Sequence, residues 1–338
     1  MLVGMDKDKR YYSVDSLKGI AMLSIVITHF AWSDAERMNP VFPYFIDMAV
    51  PMMMFCMAFL WSIHGDETDI YNGKIIGRKL FRILFPYLLC FIPDIFYAFK
   101  TGEAYDLISA INLFLVGGRG PGSYYVPVMV QIIFFFPIIY GIIRRYKNKG
   151  LIICLVINLL LEIYKNVLQM SEAEYRLLAF RYIFIIACGC AFECFSGSVN
   201  ETWHKRSNII AMLVMFICGT GFIVVTRYLG YEPIVLNYWT FACCIASMYI
   251  VPVVQIYIAH APRLKVFEYI GRSSWGIFLV QKLFYKCGSL YLYDIVGSRV
   301  IQLILCIFIS VMVGILFDRI TSHLMKLIVQ KRKNAKAV

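Results

Sequence analysis

Val300-Ile301-Gln302-Leu303-Ile304-Leu305-Cys306-Ile307-Phe308-Ile309-Ser310-Val311-Met312-Val313-Gly314-Ile315-Leu316-Phe317 runs without a charge between Arg299 and Asp318. A helix rises 1.5 Å per residue, so about 20 such residues cross the hydrocarbon of a bilayer. In lipid the backbone must satisfy its own hydrogen bonds, which makes a helix the form the run takes. Apolar runs bounded by charge and by Pro or Gly recur, and ten spans result: 14–33, 41–63, 80–99, 124–143, 150–164, 176–195, 209–228, 239–259, 273–290 and 300–318. The fold expected is all-α, a polytopic membrane helix bundle of about ten transmembrane helices forming one domain over residues 1–338. In the fifth span the apolar part is short and interrupted by Asn158 and Glu162, so a buried or half-crossing helix is the alternative there.

Composition points the same way. Of 338 residues 60% are hydrophobic and 16% charged, against roughly 45–50% and 25% in a soluble domain. With a mean hydropathy of +0.70, a single water-soluble globule is excluded. The 33 Lys and Arg outnumber 21 Asp and Glu, giving +12. No basic block carries the interleaved polar surface that nucleic acid needs, and in an apolar chain such an excess belongs on the cytoplasmic side. Roughly two thirds of the cations fall in alternate segments: up to Lys18, then 74–82, 144–149, 205–206, 263–272, and from Arg319 onward. That pattern predicts a multi-pass protein of the cell membrane with both termini cytoplasmic.

The 11 cysteines lie almost wholly in apolar runs and read as small hydrophobes. Cys188, Cys190 and Cys194 have no histidine at ligand spacing, so no metal is expected. After Trp32-Ser33-Asp34 there is no Ala-x-Ala-like cleavage site, and the first span is expected to be retained. The long outer connection 100–123 contains an apolar piece, 107–116, read as an interfacial helix, then Gly117-Gly118-Arg119-Gly120-Pro121-Gly122, read as a flexible lip.

Polar groups inside hydrocarbon are functional candidates by default, although some only join helices. Of five histidines only His29 falls inside a span, and imidazole takes and returns a proton near neutral pH. The bland alternative is a packing histidine bonded to a carbonyl. Lys18 lies eleven residues earlier, roughly 16 Å along one helix, as a cation at the cytoplasmic mouth or a snorkelling anchor. Arg78 and Arg82 share a helix face at i and i+4. With Lys18 they suit the phosphates of a nucleotide-like donor, or else anionic lipid. Asp47 and Asp94 fall near the depth of His29, and either would orient the imidazole; Asp47 is preferred because consecutive helices usually pack together. Tyr124, with Gln131 behind it, opens the fourth span with groups suited to sugar hydroxyls, although Tyr is also an interfacial belt residue. Arg181 is read as outer-face charge, with Glu162 as a partner across adjacent spans.

Tyr12-Ser13-Val14-Asp15-Ser16-Leu17-Lys18-Gly19-Ile20-Ala21, continuing to Thr28-His29-Phe30, resembles the opening of the membrane acyltransferase-3 family, whose first helix carries Arg, ten residues, then His. The basic stretch 78–86, Gly122-Ser123-Tyr124-Tyr125 with Gln131, Arg181-Tyr182 leading to Gly189, and Gly271-Arg272-Ser273-Ser274-Trp275-Gly276-Ile277-Phe278-Leu279-Val280-Gln281 are similar to later landmarks of that family, in order. The resemblance implies an integral-membrane O-acyltransferase. It would carry an acyl group, commonly acetyl, from cytoplasmic acyl-CoA to a hydroxyl of an envelope glycan. By carry-over His29 is the catalytic base; in the mechanism expected with it, Lys18, Arg78 and Arg82 hold the donor phosphates and Tyr124 or Arg181 steadies the oxyanion. Two positions depart from the pattern: Lys18 stands where the family usually has Arg, and Gln281 where many members have a second His. Because the family also resembles proteins proposed to move polysaccharide or small solutes, an exporter, a flippase or a small-solute transporter stands as the alternative.

Overall fold

A computed structural model describes residues 11–63, 72–195, 206–230 and 244–334. Its principal helices are α1 (Tyr12–Thr28), α2 (Ala49–Ile63), α3 (Gly73–Lys100), α4 (Leu107–Leu115), α5 (Tyr125–Tyr146), α6 (Asn148–Val167), α7 (Ile183–Phe195), α8 (Arg206–Ile223), α9 (Ile250–His260), α10 (Lys265–Arg272), α11 (Ser274–Cys287) and α12 (Arg299–Asn334). No strand occurs among the described residues.

Five stretches are long and apolar enough to cross a bilayer: Phe42–Ile63, Gly73–Lys100, Tyr125–Tyr146, Ile209–Tyr228 and Arg299–Lys331. A sixth results if Cys244–His260 and Lys265–Arg272, bent by 119°, count as one. Ten unbroken spans are therefore not what forms. The expected first span ends as helix at Thr28. The sixth opens as two short turns, Glu172–Arg176 and Ala179–Tyr182, before α7 begins. The ninth is split at Gly288 into α11 and the turn Ser289–Ile295, and residues 239–243 of the eighth lie outside the described residues. The fifth goes the other way, since α6 carries Asn158 and Glu162 within one continuous helix. Irregular backbone at membrane depth is tolerated where protein, not lipid, surrounds it. Arg181, one residue before the end of the broken sixth segment, is only 1% exposed.

The helices sort into an inner and an outer set. The apolar window of the Phe42–Ile63 stretch is 72% buried, against 28% for α3 and α12 and 17% for the Ile209–Tyr228 stretch. Leu88, Ile92 and Phe96 on α3, and Ile304, Phe308 and Met312 on α12, repeat at helical spacing and stay uncovered. Such stripes suit acyl chains. At the centre α1 packs on α10 through glycines. A Cβ on Gly19 would strike the Phe267 carbonyl, and one on Gly271 the Asp15 carbonyl and the Gly19 nitrogen. Hydrocarbon gives helices no hydrophobic drive to associate, so close backbone approach between small residues supplies the packing.

Candidate active site

The last carbonyls of a helix have no partner within it. At the end of α1 three of them accept from side chains outside the helix. The Tyr285 hydroxyl donates to Val26 O at 2.9 Å, Trp32 Nε1 to Ile27 O at 2.7 Å, and Arg37 Nη2 to Thr28 O at 3.1 Å. Beyond them Arg299 reaches Ala31 O at 2.6 Å. His29 caps this anchored turn, its N–H on Val26 O at 3.3 Å. Its ring meets that of Tyr285 edge-on at 6.2 Å. His29 lines a small pocket shared with Thr28, Gly122, Tyr124, Tyr125 and Phe278.

The lip closes that pocket. Gly117, Gly118, Gly120 and Gly122 all have φ between +78° and +93°, a conformation that side chains disfavour. At Gly122 an added Cβ would lie 3.4 Å from His29 Nε2 and 3.2 Å from the Phe278 ring. The backbone of the lip is thus the surface the imidazole nitrogen faces. What holds it is a buried ion cluster. Asp94, 2% exposed, accepts from Arg119 N at 2.9 Å and Arg119 Nε at 3.0 Å. Arg119 Nη2 donates to the Asp94 carbonyl at 2.9 Å. Lys282, 1% exposed, donates to Gly117 O at 2.5 Å and stands 4.0 Å from Asp94. Glu103 ties the rim, 3.1 Å from both Arg119 and Lys286.

The carboxylate of Asp94 therefore faces the lip, not the imidazole. Asp47 is half-buried and is not among the pocket-lining residues, although its chain neighbours Ile46, Ala49 and Val50 are. Tyr124, Gln131 and Arg181 come together as one unit. Tyr124 walls the pocket, and the Arg181 guanidinium sits 5.9 Å from its ring centre, 5.4 Å from that of Tyr175 and 5.3 Å from that of Tyr182. Gln131 spends its amide on backbone: Nε2 donates to Leu177 O at 2.6 Å and Oε1 accepts from Ala179 N at 3.0 Å, pinning the turn that carries Arg181. Glu162 accepts from Cys244 N at 2.8 Å and from Asn158 at 3.2 Å.

At the other end of α1, Lys18 lies 3.7 Å from Asp15. Asp15 also meets Arg272 at 3.7 Å, and Arg272 and Arg263 share Glu268. Arg78 and Arg82 do share one face of α3, and both are exposed. Among the described residues no ion pair or hydrogen bond joins either of them to Lys18. The inward cation of that stretch is Lys79, 3.9 Å from the Trp61 ring centre. Reading the sequence alone misses Arg119, Lys282, Phe278 and Tyr285. A cation inside an apolar span was the available signal for Lys282, and a charge within a glycine run for Arg119.

Comparison with curated proteins and with solved structures gives no significant match. Residues 11–319, nearly the whole chain, match the model of a family described as an acyltransferase domain. With that match and its multi-pass helices, the chain belongs to the acyltransferase-3 family and is a membrane acyltransferase.

Proposed function

We propose that the enzyme transfers an acyl group, acetyl in the first instance, from cytoplasmic acyl-CoA to a hydroxyl of a cell-envelope polysaccharide or related glycan. In this reading ten segments cross or enter the membrane and both termini are cytoplasmic. The single observation that carries it is His29: a half-buried imidazole that lines a pocket at the end of α1, with its Nε2 against the Gly122 backbone.

His29 Nε2 takes the proton of the acceptor hydroxyl as that oxygen attacks the thioester carbonyl. The carbonyl oxygen becomes an oxyanion, the C–S bond breaks, and the leaving thiolate takes the proton from the imidazolium. Ester and free CoA result. Tyr124, with Arg181 behind it, is assigned the stabilisation of the developing negative charge, and Gln131 acts by holding the turn that presents Arg181. Asp47 enters beside the pocket to orient the imidazole. Lys18 leads the donor towards His29, while Arg78 and Arg82, exposed on α3, meet its phosphates.

Mass analysis of cell-surface glycan with and without the protein tests this. Loss of one acyl increment from glycan that still reaches the surface is the expected result. Glycan missing from the surface altogether would replace this reading with an exporter or flippase.

A further inference from the structure

Two buried polar side chains stand outside the site described above. Gln281 on α11 is 0% exposed, and neither its amide nitrogen nor its amide oxygen has a hydrogen-bond partner among the described residues. Ser310 on α12 is equally buried, and its hydroxyl is likewise unpartnered there. They belong to one level. The helices run antiparallel, with Gly314 hard against Ile277 and Gly276 hard against Asp318. One turn on from Ile277 is Gln281, and one turn back from Gly314 is Ser310; a second turn each way reaches Tyr285 and Cys306.

Gln281 also shares a face of α11 with Phe278, three residues before it, and Tyr285, four after. Those two rings are the ones beside His29: Phe278 lines its pocket and Tyr285 touches its ring. An unpartnered amide therefore lies about one helical turn, roughly 6 Å along α11, from the residue that contacts the imidazole.

Buried polar groups left without partners are costly and rare in native proteins, so a partner supplied by something bound is the economical explanation. A glutamine amide offers donor and acceptor together, the complement of a secondary amide. In an acyl-CoA such an amide follows the thioester sulfur after two methylenes, about one helical turn from the acyl carbonyl. We propose that Gln281, with Ser310 beside it, is the subsite that receives this first amide of the donor's arm and so sets the thioester at the depth of His29. The inference rests on the donor reading given above.

Two small thioesters test it on the full-length protein in detergent: S-acetyl-N-acetylcysteamine, which keeps the amide, and an acetyl thioester of an alkanethiol of equal length, which lacks it. Affinity is read from thermal stabilisation, with acetyl-CoA as reference. The wild type binds the amide-bearing thioester roughly tenfold more tightly, the worth of one hydrogen bond to a buried partner. Gln281→Met, similar in shape but apolar, brings that ratio close to one without lowering the melting temperature of the unliganded protein, and Ser310→Ala reduces it less. Equal affinity of the wild type for both thioesters, or a ratio unchanged in Gln281→Met, overturns the subsite. If acetyl-CoA itself does not stabilise the wild type, the donor reading fails first and the subsite falls with it.

Discussion

The imidazole of His29 owes its place to neighbours that bind other atoms of the same turn. Tyr285, Trp32 and Arg37 satisfy the carbonyls at the end of α1, and the side chain is left to face the pocket. Gly122 completes that geometry with a φ of +78°. Gly122→Ala adds a methyl where Phe278 and His29 Nε2 already stand and costs about 1–2 kcal/mol of backbone strain. We expect acyl transfer to fall about tenfold or more with a melting point lowered by a few degrees; unaltered kinetics would show that the imidazole does not work against this backbone. Gln131→Met frees two backbone groups of the turn that holds Arg181 and is expected to lower unfolding stability by about 1–3 kcal/mol, measured by denaturant titration. His29 was legible in the sequence because no other histidine falls inside an apolar span. Gln131 was legible as a polar group in a membrane helix, but its partners Leu177 and Ala179 lie 46 and 48 residues away, and only the folded chain brings them together.

The lip at 117–122 is the element whose behaviour the ion cluster decides. Asp94→Asn leaves Arg119 and Lys282 without their carboxylate in a buried site, a change of the kind that destabilises by about 3–5 kcal/mol. A melting point lowered by several degrees, with faster proteolysis after Arg119, is the expected outcome; unchanged cleavage would mean the cluster does not restrain the lip. Glu103 lies outside the spans, and its hydrogen bond to Lys286, ahead of that to Arg119, holds its carboxyl below the ordinary glutamate range. Its folded-state value is depressed, so this tie is present at neutral pH and is lost as pH falls through that lowered value. Proteolysis of the lip should therefore rise on acidification in the wild type and be less pH-dependent in Glu103→Gln. At this scale the apolar runs were readable, because hydrocarbon selects for them directly. The breaks were not: the turns 172–182 and the division at Gly288 depend on being enclosed by protein, and a run of apolar letters does not say which side faces lipid.

Across the molecule, one buried helix joins two chemically distinct ends. Lys18 pairs with Asp15, which also meets Arg272, at one end of α1, and His29 lies at the other, roughly 16 Å away. The alternating cation bias predicts that the Lys18 end faces the cytoplasm. Cysteines placed singly at Lys147 and at Glu174 in a background with native cysteines replaced should react with a membrane-impermeant maleimide from opposite sides of intact cells, Glu174 from outside; labelling of Lys147→Cys from outside would invert the topology. The measurement closest to the central claim is transfer from radiolabelled acetyl-CoA, in purified wild type and in His29→Ala, to glycan extracted from cells lacking the protein. A general base of this kind is worth about 10²–10⁴ in rate. His29→Ala is expected to keep the wild-type melting point, still bind acetyl-CoA and lose transfer by that factor. Transfer at the wild-type rate by folded His29→Ala protein would contradict it.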